Sequence, residues 1–494
     1  MDGRILEEQR VTASGGEQPG LRIYDSLTRA KRTFQPVQDG HVGMYVCGVT
    51  VYDDAHIGHG MSSIVFDVIR RYLMHLGYRV RYAQNFTDID DRIIARANAA
   101  GVTVDEFAER MIDDWTWETE ALNILPATVN PRATREIPGI VAMIASLVEK
   151  GHAYEVGGDV YFRVRSFPGY GKLSHRAIDD LVAGTRVDVI EIKDDPLDFA
   201  LWKAAKPGEP SWPSPWSAGR PGWHIECSAM CMRHLDGIVD IHGGGRDLIF
   251  PHHENEIAQS EAFSGRAPYA RNWVHNGMLQ LNGEKMSKSL GNVIPLKEII
   301  SSRRAAAFRI QVLQTHYRAP LNFTRTGLEA AETGLSRLRS AVGSLETEGS
   351  AGDPSPSTQS IGAFASVISG RFHEAMLDDF DTPSAVAAIF ELGRAINRAR
   401  SQGAIRQEIE IAQSALVELA GILGVDLSAP EESTPEDAAP FIDLLVLVRD
   451  ELRTNRQFAM ADLIRSHLLD KGIVLEDNPA GTAWKRRRDR ADRA

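Results

Sequence analysis

The chain has 494 residues, of which 43% are hydrophobic, and a net charge of −12 at pH 7. This length predicts a globular protein of several domains. The sequence has no run of about 18 apolar residues, so no membrane span is expected. The negative charge argues against indiscriminate nucleic-acid binding. Three cysteines, Cys47, Cys227 and Cys231, are too few for a disulfide framework and predict a cytoplasmic location. Residues 1–20 are polar and lack a signal peptide's apolar core, so they are predicted to be a flexible extension.

The first predicted strand is a β-branched run from Met44 to Tyr52. A turn rich in Asp, His and Gly follows it, and residues 62–76 then carry apolar side chains at helical spacing. A strand, a tight turn and a helix N-terminus together present backbone N–H groups to phosphate. The turn contains His56 and His59, so two imidazoles would face an anion. The alternative is that both histidines only cap a helix of an ordinary α/β domain.

A second strand is predicted over residues 78–86, followed by the acidic sequence Thr87-Asp-Ile-Asp-Asp91 and a helix over residues 92–100. The β-α-β-α order predicts a parallel sheet with helices on its faces. Residues 102–222 follow with helical periodicity, a strand-turn-strand pattern over 153–164 and a proline-rich stretch. We interpret them as a domain inserted within the sheet domain.

The sheet pattern resumes after residue 222, with a short strand at 239–242 and a helix opening at residues 250–256. Asn282-Gly283 predicts a hairpin. Helical patterns and two linkers, rich in Gly, Ser and Pro or in acidic residues, complete the chain. The predicted division is an extension at 1–20, two halves of a catalytic sheet domain at 21–101 and 223–300, an inserted domain at 102–222, helices at 301–345, a linker at 346–362, a helical bundle at 363–427, a linker at 428–440, and a small mixed domain with a basic tail at 441–494.

The hairpin leads into the sequence Lys285-Met-Ser-Lys288-Ser289. Two lysines bracketed by hydroxyl groups suit a mobile clamp for a polyphosphate whose charge grows as a bond breaks. Together with His56 and His59, this loop resembles the signature of class I aminoacyl-tRNA synthetases. The resemblance implies that both motifs hold ATP phosphates, and that catalysis rests on positioning and charge stabilisation.

A second set of residues is suited to binding metal. Two thiolates, an imidazole and a carboxylate make a tetrahedral zinc site, and His252 and Glu256 share one helical face. The candidate ligands are Cys47, Cys227, His252 and Glu256, with His253 and Cys231 as competitors. The alternative is that the cysteines are small buried hydrophobic residues and the His-Glu pair lies on a helix surface.

From Leu21 to Trp484 the chain resembles the cysteinyl-tRNA synthetase family. The matching stretches begin at Met44, Asn85, Gly208, Gly219, Phe250 and Glu284. The resemblance implies that zinc, one ion per chain, binds the substrate thiolate through Cys47, Cys227, His252 and Glu256. It also implies an amino-acid pocket lined by Thr87 and Trp223, and ATP contacts from Gly58 and Lys288.

The resemblance further implies a Rossmann-like catalytic domain that activates L-cysteine with ATP and Mg2+ and transfers it to tRNA(Cys). The helical bundle and small C-terminal domain are expected to bind the tRNA stem and anticodon, and the protein is expected to be monomeric. One departure is Met61, where the family commonly has Arg. Two rival functions are a ligase that joins cysteine to an amino sugar and a degenerate zinc-binding regulator.

Overall fold

The computed structural model describes residues 20–178, 193–237, 239–286, 291–343, 360–428, 435–471, 473–478 and 481–486. The chain divides into two compact units, residues 1–428 and 429–494. In the described residues, no helix is both long enough and apolar enough to cross a membrane.

The described strands are β1 (Arg22–Asp25), β2 (Ala30–Thr33), β3 (His41–Val46), β4 (Arg79–Gln84), β5 (Ala153–Val156), β6 (Asp159–Phe162), β7 (Phe199–Ala204), β8 (Gly219–Pro221), β9 (Val239–Gly245), β10 (Ala270–Asn276), β11 (Leu279–Leu281), β12 (Glu284–Lys285), β13 (Leu321–Phe323), β14 (Ile473–Asn478) and β15 (Gly481–Arg486). The described α-helices are α1 (Ile57–His75), α2 (Asp91–Ala100), α3 (Val104–Ala121), α4 (Ile137–Glu149), α5 (Trp223–His234), α6 (Glu254–Ser264), α7 (Leu296–Ser301), α8 (Ala305–Leu313), α9 (Arg325–Val342), α10 (Ile361–Leu377), α11 (Thr382–Ser401), α12 (Arg406–Ile422), α13 (Pro435–Thr454) and α14 (Phe458–Asp470).

The central sheet has four parallel strands in the order β10-β9-β3-β4. This confirms the predicted parallel α/β sheet, whose two halves come from separate parts of the chain. The chain moves outward from β3 to β4, and the later strands add on the other side of β3. Such a reversal leaves a crevice at the carboxyl ends of the strands, where open α/β sheets bind ligands.

The first strand ends earlier than the sequence predicts, and the following helix begins earlier. The strand is His41–Val46 rather than 44–52, and helix α1 starts at Ile57 rather than at residue 62. Beyond the strand, Gly48 lies so close to the backbone of Asn85 that an added Cβ would be 1.7 Å from its carbonyl oxygen. The helix starts early because the His56 side chain accepts a hydrogen bond from the Gly58 N–H group and caps it.

A second, antiparallel sheet has the order β5-β6-β7-β8 and its own apolar core, which includes residues of α4, α5 and α6. Residues 171–222 hold many prolines and are rich in loops, and the sequence did not reveal the strands β7 and β8 within them. Trp202 in β7 is fully buried. Both strands are short and lie close to prolines, so pairing decides their conformation: β7 pairs with β6, and β8 pairs with β7.

The largest apolar core extends from helices α1–α3 through α7–α9 to α10–α12. Strand β13 pairs in parallel with β11, which the sequence pattern did not predict. The small second unit consists of α13, α14 and the β14–β15 hairpin. Helix α13 begins at Pro435, inside the predicted linker 428–440, because proline is well tolerated in the first turn of a helix.

Candidate active site

The predicted metal ligands lie together at the carboxyl edge of the central sheet. Cys47 follows β3, and Cys227 lies in the first half of α5. His252 lies two residues before α6, and Glu256 lies in the first turn of α6. Their ligand atoms are all within 4.8 Å of one another. The structure thus assembles four residues that are up to 209 positions apart in the sequence.

The spacing of these atoms fits a tetrahedral zinc ion. Two sulfur atoms bound to one such ion at about 2.3 Å would lie about 3.8 Å apart. The Sγ atoms of Cys47 and Cys227 are 3.8 Å apart, and Cys47 Sγ is 3.2 Å from Glu256 Oε1. The Nε2 atom of His252 is 3.1 Å from the same carboxylate oxygen.

A second set of metal-binding groups overlaps the first. Cys47, His242, His253 and Glu256 also bring their ligand atoms within 4.8 Å of one another. Because both sets use Cys47 and Glu256, a single ion takes one set or the other. The sequence predicts His253 as a competing ligand but does not point to His242. Its position at the end of a predicted strand, beside three glycines, was the available signal.

The third cysteine belongs to neither set. Cys231 is fully buried on α5, one helical turn after Cys227. Its pKa is raised well above the usual value by burial, which favours the neutral thiol.

Interactions among these residues favour the ionised forms of Cys227, His252 and Glu256, whereas burial raises the pKa of Cys47 well above its usual value. The hydrogen bond donated by the Cys47 thiol lowers the pKa of Cys227 to about 6. Burial alone would lower the pKa of His252, but interactions with Cys227 and Glu256 outweigh it and raise that pKa to about 10. Burial likewise opposes the charged form of Glu256, yet His242 and His252 hold its pKa well below the usual value. The cluster therefore contains the thiolate and the carboxylate that a divalent cation prefers.

The two residues predicted to line an amino-acid pocket lie beside the cluster. The ring of Trp223 lies 4.4 Å from the ring of His252, with 33° between their planes. The hydroxyl of Thr87 donates a hydrogen bond to Glu226 Oε2 at 2.8 Å, and both side chains are buried. Glu226 was not identified from the sequence, because its partner Thr87 is 139 residues away.

The two histidines of the turn before α1 have fixed orientations. The Nδ1 atom of His56 accepts a hydrogen bond from the N–H group of Gly58, and Nδ1 of His59 accepts one from the N–H group of His56. In its neutral form each ring therefore carries its proton on Nε2. The rings stack with centroids 3.8 Å apart. The two histidines therefore cap the helix through their Nδ1 atoms, and the same rings keep their Nε2–H groups as hydrogen-bond donors.

The lysine loop, residues 285–289, starts next to the histidine turn. Lys285 ends strand β12, and Lys288 lies outside the described residues. A Cβ atom on Gly58 would be 3.0 Å from the His56 ring and 3.2 Å from Cε of Met286. Gly58 is therefore the residue that lets the turn and the start of the loop approach closely.

Met61, at the position where the family commonly has Arg, does not face the turn. Its side chain is buried in the main apolar core. Two other arginines, Arg70 and Arg246, are candidates for supplying the missing positive charge. Arg70 donates hydrogen bonds to the carbonyl groups of Leu125 and Pro126. Arg246 lies at the end of β9, beside a separate cavity.

The parallel sheet, with candidate metal ligands and a histidine turn at its carboxyl edge, is the catalytic domain of a class I aminoacyl-tRNA synthetase, as the comparison with known families shows. The family model for the class I (C) tRNA synthetase catalytic domain matches residues 33–333, and the DALR domain model matches residues 371–428. The chain belongs to the cysteine-tRNA ligase family. It is 52% identical to the cysteine-tRNA ligase of Dehalococcoides mccartyi over 94% of this chain and 99% of that protein. It is 51% identical to that of Alkalilimnicola ehrlichii, over 94% of this chain and 100% of that protein.

Solved structures of other synthetases share the fold. Methionyl-tRNA synthetase of Mycobacterium tuberculosis, in complex with methionyl-adenylate, matches with a TM-score of 0.56 at 16% identity, covering 82% of this chain and 94% of that one. The LeuRS of Agrobacterium radiobacter K84, in a ternary complex with tRNA and LeuAMS, has a TM-score of 0.56 at 12% identity, covering 82% and 87%. At these identities the likeness is one of fold.

Proposed function

We propose that this protein charges tRNA(Cys) with L-cysteine at the expense of ATP. In the first step a carboxylate oxygen of cysteine attacks the α-phosphate of ATP, forming cysteinyl-adenylate and releasing pyrophosphate. In the second, a hydroxyl of the tRNA's terminal ribose attacks the carbonyl carbon and releases AMP. The observation that carries the proposal is a candidate metal site with two thiol ligands. Its first ligand, Cys47, lies just before the histidine turn that starts α1.

The histidine turn (His56 and His59) and the lysine loop (residues 285–289) would bind the ATP phosphates. His56 and His59 offer their Nε2–H groups as donors to the phosphates, and the N-terminus of α1 adds a favourable dipole. Lys285 and Lys288 supply positive charge to the β- and γ-phosphates, which are bound together with Mg2+. These groups stabilise the charge that develops on the leaving pyrophosphate, so no protein nucleophile is needed.

The candidate metal site would select cysteine over other amino acids. We assign zinc to Cys47, Cys227, His252 and Glu256 because this set has two soft sulfur ligands and the tetrahedral sulfur spacing. Bound there, zinc would prefer the substrate's thiolate to a hydroxyl group, which separates cysteine from serine. An apolar pocket discriminates near-isosteres only about 10- to 200-fold. Trp223 and Thr87 would enclose the rest of the amino acid.

The remaining helices and the small unit would bind tRNA(Cys), the small unit holding the anticodon. Trp484 is half-buried against the core of that unit, and its Nε1 donates a hydrogen bond to Asp443 at 2.7 Å. These contacts favour a packing role for Trp484. We further propose that the enzyme acts as a monomer in the cytoplasm, where the three free cysteines remain reduced.

The test measures both steps with cysteine and with serine. We expect cysteine-dependent exchange between ATP and pyrophosphate, charging of tRNA(Cys) with cysteine, and neither reaction with serine. Absence of exchange would contradict the enzyme assignment and favour a regulator. Exchange without tRNA charging, but with amide formation on an amino sugar, would identify the rival ligase.

A further inference from the structure

Glu226 is a buried carboxyl group beside the candidate amino-acid pocket, and no step of the proposed reaction uses it. It lies in the first half of α5, between Trp223, which we place in the pocket, and Cys227, a candidate metal ligand. Glu226 is 1% exposed, and Thr87, which it contacts, is 2% exposed. The structure therefore sets a carboxyl group directly behind a hydroxyl group of the pocket.

The position of Thr87 is fixed by the loop that follows Cys47. The N–H group of Thr87 donates a hydrogen bond to the carbonyl oxygen of Val49, and its carbonyl oxygen accepts one from the N–H group of Val51. Its side-chain hydroxyl donates to Oε2 of Glu226 at 2.8 Å. A hydroxyl group has one proton and two acceptor lone pairs. Because Glu226 takes the proton, Thr87 can offer a ligand only a hydrogen-bond acceptor.

Glu226 lacks a cationic partner. In the parts of the chain that the structure describes, no lysine, arginine or histidine forms an ion pair with its carboxyl group. The charged groups that act on it are Cys227, Asp88 and Asp90, and all three are acids. Burial and these neighbours raise the pKa of Glu226 well above its usual value, although the bond from Thr87 opposes the shift. A buried carboxylate is costly unless a positive charge compensates it, and that charge is missing here.

The substrate amino acid carries a group that fits this position. Cysteine is the reactant with an ammonium group, whereas ATP and tRNA are anions. Two carbon atoms separate its sulfur from its nitrogen, so the ammonium group must lie close to the residues that hold the sulfur. Glu226 directly precedes the candidate ligand Cys227, and Thr87 is bonded to the residues that follow Cys47. Both therefore lie where the ammonium group has to be.

We propose that Thr87 and Glu226 together recognise the α-ammonium group of the substrate, with Glu226 as the positioning residue. Oγ1 of Thr87 accepts a hydrogen bond from the ammonium group. The carboxylate of Glu226 holds the Thr87 proton on the opposite side and supplies the compensating negative charge. The inference rests on the proposed function, in which the thiol binds at the metal site. It adds a second criterion of selection, because a thiol without an amino group loses this contact.

The experiment combines a protein variant with a ligand variant. L-cysteine and 3-mercaptopropionate are each titrated into the zinc-loaded protein by isothermal titration calorimetry. The second ligand keeps the thiol and the carboxylate but lacks the ammonium group. We expect Glu226→Gln to bind cysteine about tenfold more weakly, because the charge that orients and balances the ammonium contact is lost. The same variant should bind 3-mercaptopropionate at least as well as the unmodified protein does, since a negative charge has been removed.

Substitutions of Thr87 test the hydroxyl group itself. Thr87→Val should reproduce the selective loss of cysteine affinity, because it removes the acceptor. Thr87→Ser keeps the hydroxyl group and should recover most of that affinity. In cysteine-dependent exchange between ATP and pyrophosphate, the defect of Glu226→Gln should appear in KM for cysteine and leave KM for ATP unchanged.

The matched control is Asp88→Asn. Asp88 is also a buried carboxyl group and is adjacent to Thr87, but its oxygens accept hydrogen bonds from the N–H and hydroxyl groups of Thr134. We expect this variant to leave the ratio of the two dissociation constants unchanged. The zinc content of Glu226→Gln, measured by mass spectrometry, should equal that of the unmodified protein, because Glu226 is not a metal ligand in this assignment.

Three outcomes would overturn the assignment. Equal weakening of both ligands in Glu226→Gln would mean that the carboxyl group only supports the packing of the pocket. Unchanged cysteine binding would mean that the ammonium group binds elsewhere, and loss of zinc would place Glu226 in the metal site. Failure of the proposed function gives a different result, because an unmodified protein that lacks cysteine binding and exchange activity fails before any residue is changed.

Discussion

At the residue scale, the two overlapping ligand sets make the metal assignment testable. Cys227 belongs to one set and His242 to the other, while Cys47 and Glu256 belong to both. We expect Cys227→Ala to retain well under half of one zinc ion per chain, measured by mass spectrometry of the purified protein, because losing a thiolate removes a principal ligand.

The control for this measurement is His242→Asn, which should keep close to one zinc ion per chain. The opposite pattern, with zinc lost from His242→Asn and kept by Cys227→Ala, would assign the metal to the set that contains His253. In either variant, thermal denaturation reports whether the fold survives the change.

A buried carboxyl group beside the histidine turn gives a pH-dependent prediction. Glu118 on α3 is buried and shares a small cavity with His59, and among the described residues its Oε1 has no hydrogen-bond partner. Burial raises its pKa to about 7, although Lys297 opposes the shift. At pH values between the usual carboxyl pKa and about 7, Glu118 keeps its proton in the folded chain but has released it in the unfolded chain. Glu118 therefore lowers stability as pH rises through this window.

Glu118→Gln removes that titration. We expect the variant to gain melting temperature relative to the unmodified protein on going from pH 5 to pH 8, measured by thermal denaturation in both buffers. Glu120→Gln, an exposed position on the same helix, is the control and should show little change. An equal effect of Glu118→Gln at both pH values would show that the carboxyl group does not titrate in this range.

At the element scale, one buried arginine ties three parts of the first unit together. Arg309 on α8 forms a buried ion pair with Asp67 on α1. It also donates hydrogen bonds to the carbonyl groups of Leu122, after α3, and Leu423, after α12. The helix that begins at the histidine turn is therefore bonded to the helices that follow the sheet.

Replacing this arginine should be costly. We expect Arg309→Met to lower the free energy of unfolding by about 3 kcal/mol, measured in urea. The substitution removes one of the two arginines that pair with the buried Asp67 carboxylate, and it takes a donor from two buried carbonyl groups. The control is Arg304→Met, whose ion pair with Glu332 is largely exposed and should contribute under about 1 kcal/mol. Equal effects of the two substitutions would contradict a special role for Arg309.

At the scale of the whole molecule, the two compact units have separate cores. A chain ending at residue 428 retains the sheet, the metal cluster and the helices through α12. We expect it to catalyse cysteine-dependent exchange at close to the normal rate, and to require at least tenfold more tRNA(Cys) for half-maximal charging. Normal charging by the truncated chain would show that the second unit makes no productive tRNA contact.

The sequence by itself determined the parallel sheet, the turn at His56 and His59, and the set of metal-binding residue types. The spacing of hydrophobic residues and the identity of turn residues are local signals of secondary structure. Cysteine and histidine side chains can bind metal wherever the fold places them. The end of β3 and the strand at Trp202 needed the structure, because a close backbone approach at Gly48 and burial against a neighbouring strand decide them.

Only the tertiary structure brought His242 into contact with the cluster and paired Thr87 with Glu226. These residues come from segments that are far apart along the chain. Their proximity depends on how parallel strands and their connections pack, and no local sequence pattern encodes that distance.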